Sequence, residues 1–275
     1  GAAKVVCVFA SSGAACVAVA CFCGGQMRAT DRYRQPGCAA LPVARSAGPK
    51  AFDGANADLL RQAADSLGLD VEFLYAGKRS QALEEVRTGR MDILIDAPLN
   101  QALVDSFDYI QPPVTHNEIL VWTRHDHALP FKSLADLHGR SGAISERTRL
   151  TQSFDATVKE HLTLERLPNL TLAFQKLALG QVEYVLAGRY SGMVMMQTLG
   201  LSSDLVAEPE PLDKPGLYLA LSMNSACNDP WLRGQLAKKM TESAASGLAG
   251  RAIQRNLDVW KAQLLQPVST SAPNK

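Results

Sequence analysis

Most of this chain lacks cysteine, and its formal net charge is small. Five of its six cysteines lie between positions 7 and 38, and only Cys227 lies beyond them. The rest of the chain is therefore not a disulfide scaffold. A domain of this size can be stable on its core alone, so low cysteine content does not exclude the periplasm. The formal net charge is +1, which gives no reason to expect nucleic acid or an anionic membrane surface as a partner.

The sequence also lacks common signatures of catalysis and metal binding. It contains no zinc-ligand spacing, no phosphate-binding loop and no G-x-S-x-G elbow. His125 and His127 stand in a polar connection without a set of cysteine or carboxylate partners, so we predict no metal site and no cofactor. The composition, 47% apolar and 20% charged among 275 residues, is that of a globular protein with one large domain or two of ordinary size.

Residues 1–40 differ in pattern from the rest. Lys4 precedes an apolar, small-residue run that extends to position 23 and is interrupted by Ser-Ser-Gly, a pattern typical of a secretory signal and less suited to a stable membrane-spanning helix. The Ala-Val-Ala-Cys tetrad that ends at Cys21 resembles a lipoprotein cleavage site with Cys21 as the lipidated residue. We interpret residues 1–40 as a signal-like leader, a disordered segment or a non-native addition. Residues 266–275 are predicted to be a disordered tail.

A unit of helix, glycine and strand occurs twice in the sequence. Ser80 predicts a helix N-cap, Gly89 a left-handed helix end, and Met91–Ile95 a short buried strand. The same spacing of apolar residues returns around Gly180, followed by a second apolar strand that begins at Val182. Such spacing is also the ordinary pattern of α/β chains, so it does not by itself demonstrate a repeat.

Strands and helices alternate through most of the chain. Leu41–Ser46 and Val71–Tyr75 are predicted strands on either side of a helix that Asn56 would cap and Gly68 would end. Further predicted strands are 117–123, 141–145, 163–167, 182–186, 205–207 and 216–222, and the last two predicted helices are 229–245 and 248–263. Alternation with short connections implies an α/β fold with a mostly parallel sheet.

Several segments match a family pattern in order and spacing. GANADLL keeps Gly54 and Asp58 of a helix-opening motif, and VRTGRMDILI supplies Gly89 and Asp92 of a second motif. FDYIQPP, LHGRSGAI, GQVEYV and NLDVWKAQ then follow along the chain. Together they resemble the extracellular solute-binding proteins of family 3, the periplasmic receptors of polar amino-acid ABC importers. The resemblance covers residues 41–263.

The resemblance implies a periplasmic binding protein type II fold, also called a Venus flytrap, with two α/β lobes joined by two crossing strands. Lobe 1 would contain residues 41–118 and 213–265, and lobe 2 residues 119–212. The ligand would lie between the lobes at strand ends, in agreement with the general rule for open α/β sheets. The implied role is that of a monomeric periplasmic protein without enzymatic activity, which delivers a small solute to an ABC permease.

The ionic anchors of amino-acid binding are absent from the matching positions. In the amino-acid binders of this family an arginine clamps the ligand carboxylate where this chain has Leu103, and an aspartate binds the ligand ammonium where it has Gly188. Burying a charged group without its counter-charge costs several kcal/mol. We therefore predict a small polar or anionic solute rather than a standard free α-amino acid.

Candidate ligand residues follow the predicted strands. Arg147 stands where the family opens a lobe-two helix, and it could clamp an anion together with the amides of that helix end. A solvated arginine is the alternative for Arg147, and a loop or capping role is the alternative for Asp96. The predicted ligand-binding residues are Arg45, Asp96, Ala97, Pro98, Asn100, Glu146, Arg147, Thr148, Arg189 and Tyr190.

Two other functions are compatible with the same residues. Some proteins that resemble this family are periplasmic dehydratases of prephenate or arogenate. Glu146 and Arg147 would then be the acid and the carboxylate clamp, although Leu103 argues against this function. The chain could alternatively be the ligand-binding sensor module of a membrane receptor. A product assay tests the first alternative, and the neighbouring genes test the second.

Overall fold

The computed structural model describes residues 42–45, 50–69, 71–75, 79–129 and 131–264. The predicted leader at 1–40, with Cys21, and the predicted tail at 266–275 lie outside these residues.

The chain divides into two compact units, which we call unit 1 and unit 2. Among the described residues, unit 1 contains those up to Asp96, Ala102–Val114 and those from Leu219 on, and unit 2 contains Ala97–Gln101 and those within Thr115–Tyr218. The chain passes from unit 1 to unit 2 after Val114 and returns after Tyr218, in each case inside a continuous strand.

Strands and helices alternate in much of the described chain, as the sequence pattern predicted, but several strands follow one another without an α-helix between them and the last two helices are consecutive. In chain order they are β1 (Pro42–Arg45), α1 (Lys50–Ser66), β2 (Glu72–Tyr75), α2 (Arg79–Arg87), β3 (Ile93–Pro98), β4 (Phe107–His116), β5 (Ile119–Arg124), β6 (Gly142–Ser145), α3 (Gln152–His161), β7 (Leu164–Leu167), α4 (Leu170–Ala178), β8 (Tyr184–Gly188), α5 (Arg189–Thr198), β9 (Leu205–Ala207), β10 (Gly216–Ser222), α6 (Pro230–Ser246) and α7 (Leu248–Leu264). Among the described residues no helix combines the length and apolar character needed to cross a bilayer.

One five-stranded sheet has the order β2-β1-β3-β10-β4. Strand β1 pairs in parallel with both β2 and β3, so that Ala44 lies opposite Leu74 on one side and Leu94 on the other. The carboxyl ends of these three strands therefore lie at one edge of the sheet. Strand β3 is buried from Ile93 to Ala97, which explains the continuous apolar run from which the sequence predicted a strand.

The sheet of unit 2 has the order β7-β6-β8-β5-β9. Strand β6 pairs in parallel with β7 and β8, and β5 runs antiparallel to β8 and β9. Alternate residues of its strands enter two apolar clusters, one with Trp122 and Phe174 and the other with Ile144 and Tyr184. Because successive side chains of a strand point to opposite faces, the sheet is covered by apolar residues on both sides.

Two glycines in left-handed conformation connect a helix to a buried strand. Gly89 follows α2 with φ +79°, and Gly180 follows α4 with φ +71°. A Cβ on Gly89 would lie 2.4 Å from the Asn224 carbonyl oxygen, and one on Gly180 would lie close to an Arg124 nitrogen. Both positions therefore require glycine for conformation and for space. The helix-glycine-strand unit predicted twice from the sequence is present once in each unit.

Two predicted helix starts are wrong. Helix α1 begins at Lys50, so Asn56 lies inside it, where its buried Nδ2 donates to the Ile95 carbonyl at 2.9 Å. This bond joins α1 to β3 and explains an asparagine that the sequence pattern interpreted as a cap. Ser80 is likewise inside α2, which begins at Arg79.

Asp92 is a carboxyl group buried in unit 1. Its side chain is 4% exposed, and its Oδ1 accepts a hydrogen bond from the Ser225 hydroxyl. Burial raises the pKa of Asp92 to about 7, and the bond from Ser225 offsets only part of that rise. The folded protein therefore holds this proton to a higher pH than the unfolded chain does.

We expect the wild-type protein to lose stability as the pH rises, and we expect Asp92→Asn to abolish this pH dependence. Because the folded pKa is about 7 and the ordinary value is 3.8, the protonated carboxyl is compatible with the fold at low pH. The unfolding free energy should then fall as the pH rises from the lower value through the higher one, by about 1.4 kcal/mol for each pKa unit. Urea unfolding of wild type and variant across this range measures the difference. The prediction would be contradicted if the unfolding free energies of wild type and Asp92→Asn changed in parallel with pH. It would also be contradicted if the exposed control Asp65→Asn lost the pH dependence to the same extent.

We expect opposite effects from two glycine-to-alanine changes. A Cβ on Gly142 would lie 2.2 Å from Cζ of the buried Tyr184 ring, so Gly142→Ala should destabilise unit 2 by about 1–3 kcal/mol. A Cβ on Gly234, on the exposed side of α6, would meet nothing within 4 Å. Gly234→Ala should therefore stabilise by about 0.5–1 kcal/mol, because alanine has the higher helix propensity. Denaturant unfolding followed by circular dichroism checks both, and a Gly142→Ala variant as stable as wild type would show that the ring can move aside.

Candidate functional site

The carboxyl ends of the parallel strands of unit 2 bring five predicted residues to one edge. Glu146, Arg147 and Thr148 follow β6, and Arg189 and Tyr190 follow β8, which pairs with β6 in parallel. Open α/β sheets commonly bind ligands at this edge. We call this group of strand ends the carboxyl edge of unit 2.

Arg189 is held by contacts within unit 2. Its Nε donates to Glu118 Oε2 at 2.6 Å, and its Nη2 donates to the Pro209 carbonyl at 3.1 Å. The Arg189 amide also donates to the Glu118 carbonyl at 2.8 Å. These bonds join the start of α5 to the start of β5, and the Glu118 carboxylate balances the arginine charge. Contact between Arg189 and a ligand stays a prediction, and such a ligand would have to compete with these internal bonds.

Arg147 has a less constrained side chain. In the turn after β6, the Ser145 hydroxyl accepts the Arg147 amide at 3.2 Å, and the Ser145 carbonyl accepts the Thr148 amide at 2.9 Å. Arg147 and Glu146 are exposed. Within the described part of the chain, the Arg147 guanidinium has no hydrogen bond or ion pair. A guanidinium in this condition can accept a carboxylate or phosphate in bidentate geometry.

The amino end of α3 is occupied by a carboxylate of the same unit. Helix α3 begins after Thr151, so the expectation that Glu146–Thr148 open a helix is wrong. Buried Asp213 accepts from the Thr151 amide at 2.7 Å, from Thr151 Oγ1 at 2.9 Å and from the Lys214 amide at 3.0 Å. The Asp213 carboxylate therefore occupies the positive amino end of α3. The sequence analysis predicted a ligand anion at such a helix end.

A buried neutral acceptor lies beside Gly188. The Oδ1 of Asn117 is 2.5 Å from the position that a Cβ on Gly188 would take, and Ser191 Oγ is 3.4 Å from it. No residue in the described ranges donates a hydrogen bond to this oxygen. An aspartate would not fit at position 188 while Asn117 keeps this conformation. The acceptor at the end of β8 is consequently an amide oxygen and not a carboxylate.

The remaining predicted residues lie at the ends of β1 and β3. Arg45 ends β1, which pairs in parallel with β3, so both strands reach the same edge of their sheet; the Arg45 side chain lies outside the described atoms. Strand β3 extends to Pro98, so Asp96, Ala97 and Pro98 belong to the strand, which the sequence predicted to end at Ile95. Asp96 and Ala97 are buried, Pro98 is half-buried and Asn100 is exposed.

Two further positions limit the charges that a ligand could meet. Leu103 is half-buried at the end of a short 3-10 helix, Gln101–Leu103, where its apolar side chain cannot replace an arginine. Tyr190 is half-buried, and burial raises its pKa, so its hydroxyl is neutral at physiological pH. Tyr190 can therefore serve only as a neutral hydrogen-bonding group.

Sequence reasoning missed Asn117 and Asp213. Neither belongs to a recognisable motif, and the position of Asn117 depends on the antiparallel register that sets Ile119 opposite Gly188. The position of Asp213 likewise depends on a contact with Thr151, which is 62 residues earlier. In the part of the chain that the structure describes, no group of three or more histidine, cysteine, aspartate or glutamate residues could hold a metal ion.

Comparison with known proteins gives similarity in structure alone. No protein-family model matches the chain, and no curated protein sequence matches it significantly. The GluR0 ligand-binding core in complex with L-glutamate is 20% identical with a TM-score of 0.56, and the alignment covers 74% of this chain and 88% of that one. Substrate-binding domain 2 of Lactococcus lactis GlnP, in open conformation, is 19% identical with a TM-score of 0.55, at 74% and 84% coverage.

A third solved structure is a histidine kinase sensor domain with similarity to periplasmic binding proteins. It is 22% identical to this chain with a TM-score of 0.53, and the alignment covers 74% of this chain and 86% of that one. Likeness at such identity is evidence of common architecture and not of a common ligand. The chain consists of two α/β units with a helix-glycine-strand element in each. Together with these neighbours, this confirms the predicted Venus flytrap fold.

Proposed function

We propose that this chain is a periplasmic solute-binding protein that captures a small polar or anionic solute and delivers it to an ABC permease. The solute would contact the carboxyl edge of unit 2 through Arg147. A standard free α-amino acid is not the expected ligand. The protein would act as a monomer by recognition alone.

The observation that carries this proposal is the neutral acceptor at the end of β8. Gly188 has no side chain, and the group that fills the adjacent space is the Asn117 amide oxygen. An amide oxygen suits a neutral N–H or O–H donor, whereas a ligand ammonium needs a counter-charge to offset its desolvation. Glu146 is a carboxylate at the same edge, but it is exposed, and solvent weakens its attraction for a cation.

The solved structures with this fold support solute binding in general terms. One of them is a substrate-binding domain and another is a ligand-binding core in complex with L-glutamate. Venus flytrap domains commonly act through closure on a ligand. The anionic solute is a further step of the proposal, and it depends on Arg147 and Gly188. The permease is another further step, which the resemblance to the receptors of ABC importers supports.

The state of Cys227 supports an oxidising compartment. Cys227 is buried and disulfide-bonded. The other cysteines all lie between positions 7 and 38, outside the described residues. Structural disulfides persist in exported proteins and are rare in the cytosol, so we infer that the protein is exported. Lipid attachment at Cys21 would be a separate feature of the same export route.

We expect Cys227 of the exported protein to resist alkylation until a reductant is added. Iodoacetamide treatment of the unfolded protein, with and without prior reduction, followed by peptide mass spectrometry, measures the modified fraction of this thiol. Because a disulfide sulfur is not alkylated, the Cys227 peptide should react only after reduction. Full alkylation without reductant would remove this support for export.

We expect polar or anionic solutes, and not free α-amino acids, to raise the thermal unfolding temperature. Organic acids, dipeptides, polyamines and amino acids would be screened by differential scanning fluorimetry, because a ligand that binds only the folded state stabilises it. For an anionic hit, Arg147→Ala should weaken binding by about tenfold or more, as expected on loss of a charge-assisted hydrogen bond.

The matched control for this experiment is Arg255→Ala. Arg255 is also exposed, but it lies on α7 in unit 1, so its removal should leave the affinity unchanged. Equal weakening by both variants would indicate a general charge effect. Stabilisation by free amino acids with unchanged affinity in Arg147→Ala would overturn the site assignment.

A sensor role is the second candidate function. The histidine kinase sensor domain with the same fold favours it as an alternative to transport, because the same ligand-binding units could report to a membrane receptor. A permease and an ATPase encoded beside the gene would support transport, whereas a signalling protein in that place would support sensing.

The absence of enzymatic activity is part of the proposal. A prephenate or arogenate dehydratase needs a placed acid and a clamp for the substrate carboxylate. Leu103 is apolar, and Glu146 is exposed and follows β6 in a turn. We therefore expect no product from prephenate or arogenate, as measured by the absorbance of the aromatic product. Turnover that Glu146→Gln abolishes would establish the enzyme instead.

A further inference from the structure

Unit 2 contains a cavity at the end of its sheet that lies opposite the carboxyl edge. The cavity has a volume of about 460 Å³ and is lined by Arg124 at the end of β5 and by Val182 and Glu183 before β8. Because β5 is antiparallel to β8, with Trp122 opposite Val185, its last residue lies at the amino end of β8. The volume is within the range of small-molecule sites, which is about 300–1,000 Å³.

The inner wall of the cavity is apolar. Leu129 and Val182 line it, and both are buried. Leu179, which immediately precedes the lining residue Gly180, is 73% exposed. Apolar side chains beside an open cavity provide a surface that water covers unfavourably and that a hydrocarbon or aromatic group can cover.

Two arginines of the cavity have N–H donors that no described residue uses. Arg124 donates from Nε and Nη2 to the Asp126 carboxylate at 3.0 and 3.1 Å, which leaves its Nη1. Arg140 donates from Nε to the Asp136 carbonyl at 3.1 Å and from Nη1 to Glu183 at 3.4 Å, which leaves its Nη2. A guanidinium has five donors in a planar fork, so each of these groups can bind a further acceptor.

The carboxylates around the cavity already accept hydrogen bonds. Glu183 Oε1 accepts from Arg140, and its Oε2 accepts from the Ser141 amide at 3.0 Å. Both oxygens of Asp126 accept from Arg124. His127 also lines the cavity, and its ring can donate or accept. The other uncommitted polar groups are the arginine N–H donors, which an anionic acceptor complements better than a cation does.

We propose that this cavity is a second binding site of unit 2, which takes a small organic anion with a carboxylate and an apolar body. The carboxylate binds the unused N–H groups of Arg140 and Arg124, and the apolar part covers Leu129 and Val182. The site is separate from the carboxyl edge and does not depend on the proposed function. Arg124 also lies against Gly180, which follows α4, so its removal would change the packing at that glycine as well.

Benzoate and its neutral analogue benzamide test this proposal on the full chain. We expect benzoate to give saturable chemical-shift changes, by protein-observed NMR, in residues around Val182, with a dissociation constant on the order of 1 mM. Benzamide has the same ring without the charge, and it should bind at least about tenfold more weakly. Arg140→Gln should weaken benzoate binding by a similar factor, and Arg124→Gln provides a second variant if the first does not fold.

Arg147→Ala is the matched control, because it removes an exposed arginine from the opposite end of the same sheet. It should leave benzoate binding unchanged even if it abolishes binding of the transported solute. Equal affinity for benzoate and benzamide would overturn the requirement for an anion. The second site would be overturned if the chemical-shift changes did not saturate at about 20 mM benzoate. It would also be overturned if Arg147→Ala abolished saturable binding and Arg140→Gln did not.

Discussion

The helix-to-strand connection at a left-handed glycine is the constraint on which both units depend. At Gly89 and Gly180 the chain needs φ near +79° and +71°, and a neighbouring group fills the space that a Cβ would take. Any other residue would have to strain the backbone and displace that group. Each glycine thereby fixes where the following buried strand starts. These strands, β3 and β8, carry Asp96 and Gly188 to the ends of their sheets.

The chemistry of the carboxyl edge of unit 2 depends on which charged groups are already bound to other residues of the same unit. Arg189 is paired with Glu118, and Asp213 occupies the amino end of α3. Both interactions keep loops in place, and both use groups that a ligand could otherwise have engaged. The remaining groups are the exposed guanidinium of Arg147 and the buried amide oxygen of Asn117. The groups that this edge leaves for a ligand therefore depend on internal ion pairing as much as on the residue types that reach it.

Much of the fold could be predicted from local pattern, whereas the site could be predicted only in outline. Strands 205–207 and 216–222 were predicted with the bounds that the structure has, because short apolar runs between turn residues determine them. Asn56 was misinterpreted because asparagine favours helix caps, and its bond to Ile95 spans 39 residues. The sequence placed Arg147 and Arg189 at strand ends, but it could not show that Glu118, 71 residues from Arg189, would pair with one of them.

The two ends of the unit 2 sheet present arginine to an anion in different physical ways. At the carboxyl edge, Arg147 is an exposed charge without a described partner, so its attraction extends over about a Debye length of 8 Å in physiological salt and is screened accordingly. In the cavity, Arg124 and Arg140 are balanced by carboxylates, and only directional N–H groups remain beside an apolar wall. Binding of the proposed anion there would rest on geometry and on apolar contact, which salt affects much less. An anion with a substantial apolar body should therefore prefer the cavity, and a compact, highly charged anion should prefer the carboxyl edge.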